Sequence, residues 1–315
     1  RLSIASARER PVQRLLSCNN FGTTHPATCD ASQFPCRMGL RTDDMPRTAP
    51  RDRLRSLLER LETELDPAAE DEIDLRHRSS LDFRETDRPP VVVSCAEPLP
   101  EELAPFPLAE SFVDPDKMLF NELVRAWDTS ITRRAEIGDD LPATVRANFG
   151  TVLVASCFGA VVEQRGEDPP WVRHFDNRSQ LEDALATVAT DNPVSDYVER
   201  AAEFMGHYAD VLGAYDRLSR IVKITLPDLQ GPLDTAAMLR GSELFLDSVT
   251  EPELFSLALS KTADAQIALW RRFRPLTRNE TGAFIHQHGV LVAGNILIRN
   301  DSAVMISPEM YAEQV

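Results

Sequence analysis

Short apolar runs alternate with longer amphipathic helical segments along most of this chain, and that alternation limits its fold more than any other feature. Apolar runs typical of buried strands cover residues 91–95, 221–226 and 291–298. Between them the spacing of apolar residues predicts helices, for example over 197–218 and 252–273. Strands joined by helices form parallel sheets with right-handed crossovers. The pattern therefore predicts an α/β protein, and periodicity alone leaves an open doubly wound sheet and a closed barrel as alternatives.

Composition divides the chain into three parts. Residues 1–44 contain three of the five cysteines and show no apolar periodicity, which predicts a disordered or non-native extension. Residues 45–90 are charged and helical, with a stripe of leucines on a helix that ends before Pro67. Residues 91–315 carry the alternating pattern and are predicted to form the main domain.

Charge, hydropathy and cysteine usage exclude several classes of protein. The formal net charge of -16 and the lack of a basic run argue against a nucleic-acid partner. No apolar stretch approaches the roughly 20 residues that span a bilayer. The odd cysteine count without a Cys-x-x-Cys pair fits neither a disulfide framework nor a zinc ribbon. We therefore predict a cytoplasmic protein with reduced thiols that acts on a small molecule.

Three stretches of the chain carry a resemblance to a known family: residues 147–160, Ile221–Gly241 (IVKITLPDLQGPLDTAAMLRG) and Gly294–Tyr311 (GNILIRNDSAVMISPEMY). They resemble the uroporphyrinogen decarboxylase family, which also includes cobamide-linked methyltransferases. The second is similar to the family's strand, Gly-Pro turn and helix. The third is similar to its strand that ends in an acidic residue and Ser. The resemblance implies a (β/α)8 TIM-like barrel whose last strands would follow Val315, so that a chain ending at Val315 would be inactive on its own.

The resemblance also implies where the site lies, because barrel enzymes carry their chemistry at the carboxyl ends of the strands. Asp228 and Asp301 are the candidate catalytic residues, and Gln230, Ser302 and Asp234 are the candidate substrate-binding residues. Ser302 matches the family's substrate-contacting Ser. The alternative for Asp228 and Asp234 is that they cap the helix after Gly231-Pro232.

Departures from the family pattern bear on the reaction. The acidic loop over residues 96–102 stands where true decarboxylases carry an Arg-rich loop, which argues against uroporphyrinogen itself. No acidic residue lies between Arg146 and Val162, where the family's catalytic Asp is expected, and its Tyr falls near Met238. Three arginines that could compensate are expected instead to be solvated surface residues: Arg146, Arg173 and Arg299.

Three functions follow from the resemblance. The first is decarboxylation of a tetrapyrrole or a related carboxylated substrate by a lyase that needs no cofactor. The second is zinc-dependent methyl transfer with a corrinoid protein as partner, in which the zinc ligands would lie beyond Val315. The third is a noncatalytic ligand-binding barrel, and a homodimer is open for each. Within the chain we predict no metal site, because the close pair His286 and His288 is more often structural.

Overall fold

The computed structural model describes residues 49–93, 99–127, 138–279, 283–287 and 289–315. Helices dominate these ranges. The α-helices are α1 Pro50–Glu64, α2 Pro67–Leu81, α3 Leu108–Ser111, α4 Pro115–Trp127, α5 Leu153–Ser156, α6 Arg178–Thr187, α7 Asp196–Gly213, α8 Leu218–Ile221, α9 Pro232–Arg240, α10 Glu243–Thr250, α11 Pro252–Phe273 and α12 Pro308–Gln314. Short 3-10 turns cover Glu101–Leu103, Arg274–Leu276 and Asp301–Met305. The predicted extension over 1–44 lies outside the described residues.

Helix starts and buried faces follow the sequence signals. Helices α1, α9 and α11 each begin with a proline, which loses no hydrogen bond at the first helical position. The predicted leucine stripe of α1 is confirmed, since its four leucines from Leu54 to Leu61 are buried. Ser307 caps α12 by accepting a hydrogen bond from the N–H of Met310, as predicted. No helix in the described part of the chain is long and apolar enough to cross a membrane.

The strands are short and pair two by two. They are β1 Thr144–Val145, β2 Val162–Glu163, β3 Trp171–Val172, β4 Lys223–Ile224, β5 Phe284–Gln287 and β6 Val290–Ala293. Strands β1 and β4 are parallel, with Val145 opposite Ile224. The pairs β2–β3 and β5–β6 are antiparallel. Over the described ranges the sheets are these three pairs, and the (β/α)8 barrel stays a prediction.

The apolar runs of the sequence agree with the strands only in part. The apolar run over 151–160 forms the short helix α5 and turns, because a run that is buried all round has no periodicity to separate helix from strand. The run over 291–298 contributes β6, whose partner is the preceding β5 and not a parallel strand. Residues 91–93 form no strand, and the rest of that predicted run lies outside the described residues.

One apolar core joins the helices to the parallel pair. Phe149, just after β1, packs its ring on Phe204 of α7, with 5.4 Å between ring centroids. Helix α9 packs against α11 and against the turn at Asp301–Met305. The carboxyl ends of β1 and β4 therefore lead, over 146–148 and 225–231, into one side of the molecule.

Candidate functional site

A cavity of about 330 Å³ lies along α9. Its walls are formed by Thr151, Trp171, His174, Gln230, Asp234, Ala237, Met238, Gly241, Ser242, Phe245, Asp301, Ser302 and Met305. We call it the Asp301 cavity. Its size is at the low end of the range for small-molecule pockets. Four of the five predicted site residues therefore meet at one cavity, and Asp228 is not among its lining residues.

Asp234 holds in place the loop that carries Asp301 and Ser302. Its two carboxylate oxygens accept hydrogen bonds from the backbone N–H of Asp301 at 2.8 Å and of Ser302 at 2.7 Å. Helix α9, on which Asp234 lies, has no side-chain cap of its own. The Asp234 carboxylate thus caps the turn at Asp301–Met305, while the residue itself lies in the first turn of α9, where the capping alternative placed it. This side chain positions the loop that carries the other candidates.

Gly231 brings the two loops into backbone contact. Its N–H donates to the carbonyl oxygen of Arg299 at 2.8 Å. A Cβ built at this position would lie 2.1 Å from Asn300 Oδ1 and 2.2 Å from that carbonyl oxygen. Only glycine allows this approach, which explains the Gly-Pro signal in the sequence.

Asp228 lies in a buried ion-pair cluster next to the Asp301 cavity. Arg299 Nη2 donates to Asp228 Oδ2 at 2.9 Å, and Arg146 Nη1 lies 3.8 Å from the same oxygen. Burial raises the pKa of Asp228, although both guanidinium groups oppose that increase. Burial also lowers the pKa of Arg146, which the neighbouring carboxylates of Glu122 and Asp228 oppose. Asp228 thus holds two arginines and does not itself line the Asp301 cavity.

The surface prediction is wrong for two of the three arginines. The side chain of Arg146 is 14% exposed and that of Arg299 is 32% exposed, because both turn inward to Asp228. The Arg173 side chain is 60% exposed and lies 3.8 Å from Glu163, so the surface prediction is confirmed there. Residue type alone could not separate these cases, since the carboxylate partners lie far away in sequence.

Gln230 brings an unsatisfied polar atom to the Asp301 cavity. The residue is only 6% exposed, and its Oε1 has no hydrogen-bond partner in the described part of the chain. An amide oxygen that is buried without a donor costs free energy of about 1–3 kcal/mol. A ligand with an N–H or O–H group at this wall would remove that cost.

Sequence reasoning missed His174. Its Nδ1 lies 2.8 Å from the carbonyl oxygen of Met238. Because a carbonyl only accepts, Nδ1 carries the proton, and Nε2 of the neutral ring keeps its lone pair. The ring packs over Gly241, where a Cβ would lie 3.1 Å from His174 Cδ2. An isolated histidine gives no sequence signal, since only the fold brings it to the cavity.

The sequence analysis predicted no metal site within the chain, and His286 is the member of the histidine pair that the structure describes. Its Nε2 lies 2.7 Å from Asp74 Oδ1, and its Nδ1 lies 3.2 Å from Asn279 Oδ1. A separate cavity of about 90 Å³, lined in part by Asp74 and His286, lies near the amino ends of β1 and β4. Over the ranges that the structure describes, no three His, Cys, Asp or Glu residues are grouped to hold a metal ion. His288 lies outside those ranges.

Comparisons with known proteins give little further guidance. No protein-family model matches the chain, and no curated protein matches it. Among solved structures, a methyltransferase from Methanosarcina mazei is similar with a TM-score of 0.42 and 17% sequence identity. The match covers 65% of this chain and 56% of the methyltransferase. A likeness of this degree assigns neither a fold nor a function to the chain.

Proposed function

We propose that the chain forms the substrate pocket of an enzyme of the uroporphyrinogen decarboxylase superfamily, of its methyltransferase branch, on a (β/α) barrel. One observation carries the choice of branch. The walls of the Asp301 cavity include two carboxylates, Asp234 and Asp301, and neither lysine nor arginine is among its lining residues in the described part of the chain. A polycarboxylate such as a porphyrinogen would meet like charges there.

The nearby arginines do not reverse this argument. Arg299 and Arg146 point their guanidinium groups at Asp228, and neither lines the Asp301 cavity. Recruiting them to a substrate carboxylate would take both arginines away from the buried Asp228. Breaking a buried pair in this way costs about 3–5 kcal/mol. A neutral or cationic substrate avoids that cost.

The residues of this chain would bind and orient the substrate. Ser302 and Gln230 offer hydrogen-bonding groups at the cavity wall, and Asp234 fixes the loop that carries Ser302. The Nε2 of His174 can accept a proton if its lone pair reaches the reacting group. Zinc would supply the activation of a thiol in this branch. The described residues provide no donor set for zinc, so none of these roles depends on it.

A paired activity assay tests the proposal. The complete gene product is incubated with methylcobalamin, as a probe for a methylated corrinoid protein, and with 2-mercaptoethanol. We expect the Co–CH3 bond to break and an S–CH3 bond to form as the thiol proton is released, which mass spectrometry of the thioether detects. Asp301→Asn should slow the reaction, and the exposed Asp183→Asn on α6 serves as the matched control.

A second reaction mixture contains uroporphyrinogen in place of the methyl donor and thiol. Loss of carbon dioxide from that substrate, without methyl transfer in the first mixture, would restore the decarboxylase. Binding of methylcobalamin or thiol without turnover in either mixture would favour a noncatalytic binding protein and would contradict the proposal.

A further inference from the structure

The Asp301 cavity has an aromatic wall that the fold leaves exposed. Trp171 lies on β3 and lines the cavity with 55% of its surface exposed. Pockets that bind small molecules are lined largely by apolar and aromatic side chains. Its indole face can therefore contact a ligand that enters.

Two carboxylates, those of Asp301 and Asp234, line the Asp301 cavity and make its charge negative. The carboxylate of Asp301 has no hydrogen bond or ion pair to the other described residues, and residue 301 is exposed. Asp234 adds a second carboxylate to the wall, and its oxygens accept two backbone hydrogen bonds. Arg173 is not among the lining residues of the Asp301 cavity, and its Nη1 lies 3.8 Å from Glu163 Oε1, which offsets its charge. The field in the cavity favours a positive ligand.

The polar atoms of the Asp301 cavity include two further acceptors. Gln230 is nearly buried and its Oε1 lacks a donor in the described chain, which is evidence independent of the carboxylates. His174 donates its Nδ1 proton to Met238, so its Nε2 offers a lone pair. The cavity therefore presents carboxylates, acceptors and a π face together.

We propose that the Asp301 cavity binds a small organic cation, of the alkylammonium or sulfonium class. The face of Trp171 attracts such a cation through the ring quadrupole, and tryptophan is the best residue for this contact. The carboxylate of Asp301 supplies the counter-charge, and the Gln230 and His174 acceptors take any N–H that the ligand carries. That this ligand is a substrate rests on the proposed function, whereas the proposal that it binds does not.

An isosteric series of probes tests the sign of the ligand charge. Tetramethylammonium, neopentyl alcohol and pivalate have nearly the same shape and carry positive, zero and negative charge. Isothermal titration of each into the complete gene product should show tetramethylammonium binding at least about tenfold more tightly than the other two. Equal affinity for the alcohol, tighter binding of pivalate, or no heat with tetramethylammonium would each overturn the proposal.

Variants then locate the site. Trp171→Ala and Asp301→Asn should each weaken tetramethylammonium binding by about fivefold or more, with Trp171→Phe in between. Both side chains are exposed, so circular dichroism should show an unchanged fold, and Asp183→Asn should bind as the wild type does. Unchanged binding in both site variants would place the cation elsewhere and overturn the proposal.

The two proposals fail separately. Selective cation binding without methyl transfer would contradict the proposed function alone. Methyl transfer without a preference for the cationic probe would contradict the cation site alone.

Discussion

The backbone N–H of Gly231 donates to the carbonyl oxygen of Arg299 at 2.8 Å, and this bond joins the two segments that supply every predicted site residue. Asp228, Gln230 and Asp234 lie on one segment, and Asp301 and Ser302 on the other. These segments are about 70 residues apart in sequence, as the 71-residue separation of Asp228 and Arg299 shows. The geometry of the site therefore depends on this close backbone contact, together with the bonds that Asp234 and Asp228 make to the second segment.

Replacement of Gly231 by alanine should open the site. The added Cβ would lie 2.2 Å from the Arg299 carbonyl oxygen, so the loop around residue 300 must move. We expect a loss of stability of about 1–3 kcal/mol, as for overpacked sites. Gly206→Ala in α7 is the matched control, because a Cβ there meets nothing within 4 Å. That change should stabilise the protein by up to about 1 kcal/mol in a helix interior.

Urea unfolding of both glycine variants measures this difference. Gly231→Ala should also lose affinity for any ligand of the Asp301 cavity. Equal unfolding midpoints for the two variants would show that the loops can separate without cost, contrary to the expectation.

Local signals in the sequence predicted local structure well. Prolines mark the starts of α1, α9 and α11, and the leucine stripe of α1 is buried as its spacing indicates. The type of the apolar run over 151–160 could not be predicted, since full burial removes the periodicity that separates helix from strand. Whether a barrel closes depends on long-range strand pairing, on which such patterns carry no information.

The site could be predicted only in part, because several of its contacts join segments that are distant in sequence. The resemblance to a family pointed to two loops, and four of the five residues on them line one cavity. The pairing of Asp228 with Arg299, the reach of Asp234 to the next loop and the approach of His174 all join distant segments. No local spacing encodes such contacts.

Asp234→Ala should loosen the loop that carries Asp301 and Ser302. The change removes both acceptors, at 2.8 and 2.7 Å, and leaves two backbone N–H groups unpaired. We expect a loss of about 1–3 kcal/mol in unfolding free energy. Asp234→Asn keeps one acceptor but turns an amide N–H2 toward the other backbone N–H, so it should also destabilise the loop. Hydrogen exchange at the amides of residues 301 and 302 checks this directly, with Asp183→Ala as the exposed control. Unchanged exchange in Asp234→Ala would refute the capping role.

Asp228 and Asp74 should affect stability with opposite dependence on pH. Burial raises the pKa of Asp228, with Arg299 and Arg146 opposing it. The folded state therefore holds that proton to a higher pH than the unfolded state, so stability falls as the pH rises towards the raised pKa. Burial opposes ionisation of Asp74, but the hydrogen bond and charge of His286 lower its pKa overall. Its stabilisation is present at higher pH and is lost as the pH falls through the lowered pKa.

Unfolding free energies from about pH 2 to about pH 6 separate the two groups. The difference between wild type and Asp228→Asn should decrease with rising pH, and that between wild type and Asp74→Asn should increase. Parallel curves for the two variants would contradict both assignments.

Cys157 should react slowly in the folded protein. Burial raises the pKa of its thiol to about 11, and its Sγ lies 3.4 Å from the carbonyl oxygen of Leu153. Only the thiolate reacts with iodoacetamide, so at pH 8 about one molecule in a thousand is reactive at this position. Mass spectrometry of the Cys157 peptide should show labelling roughly a hundredfold faster in denaturant than in the folded state. The folded-state rate should rise about tenfold per pH unit between about pH 8 and about pH 10, because the thiolate fraction does. A folded-state rate at pH 8 equal to the rate in denaturant would mean that the thiol is exposed and that its pKa is not raised. That result would contradict its burial at the carboxyl end of α5.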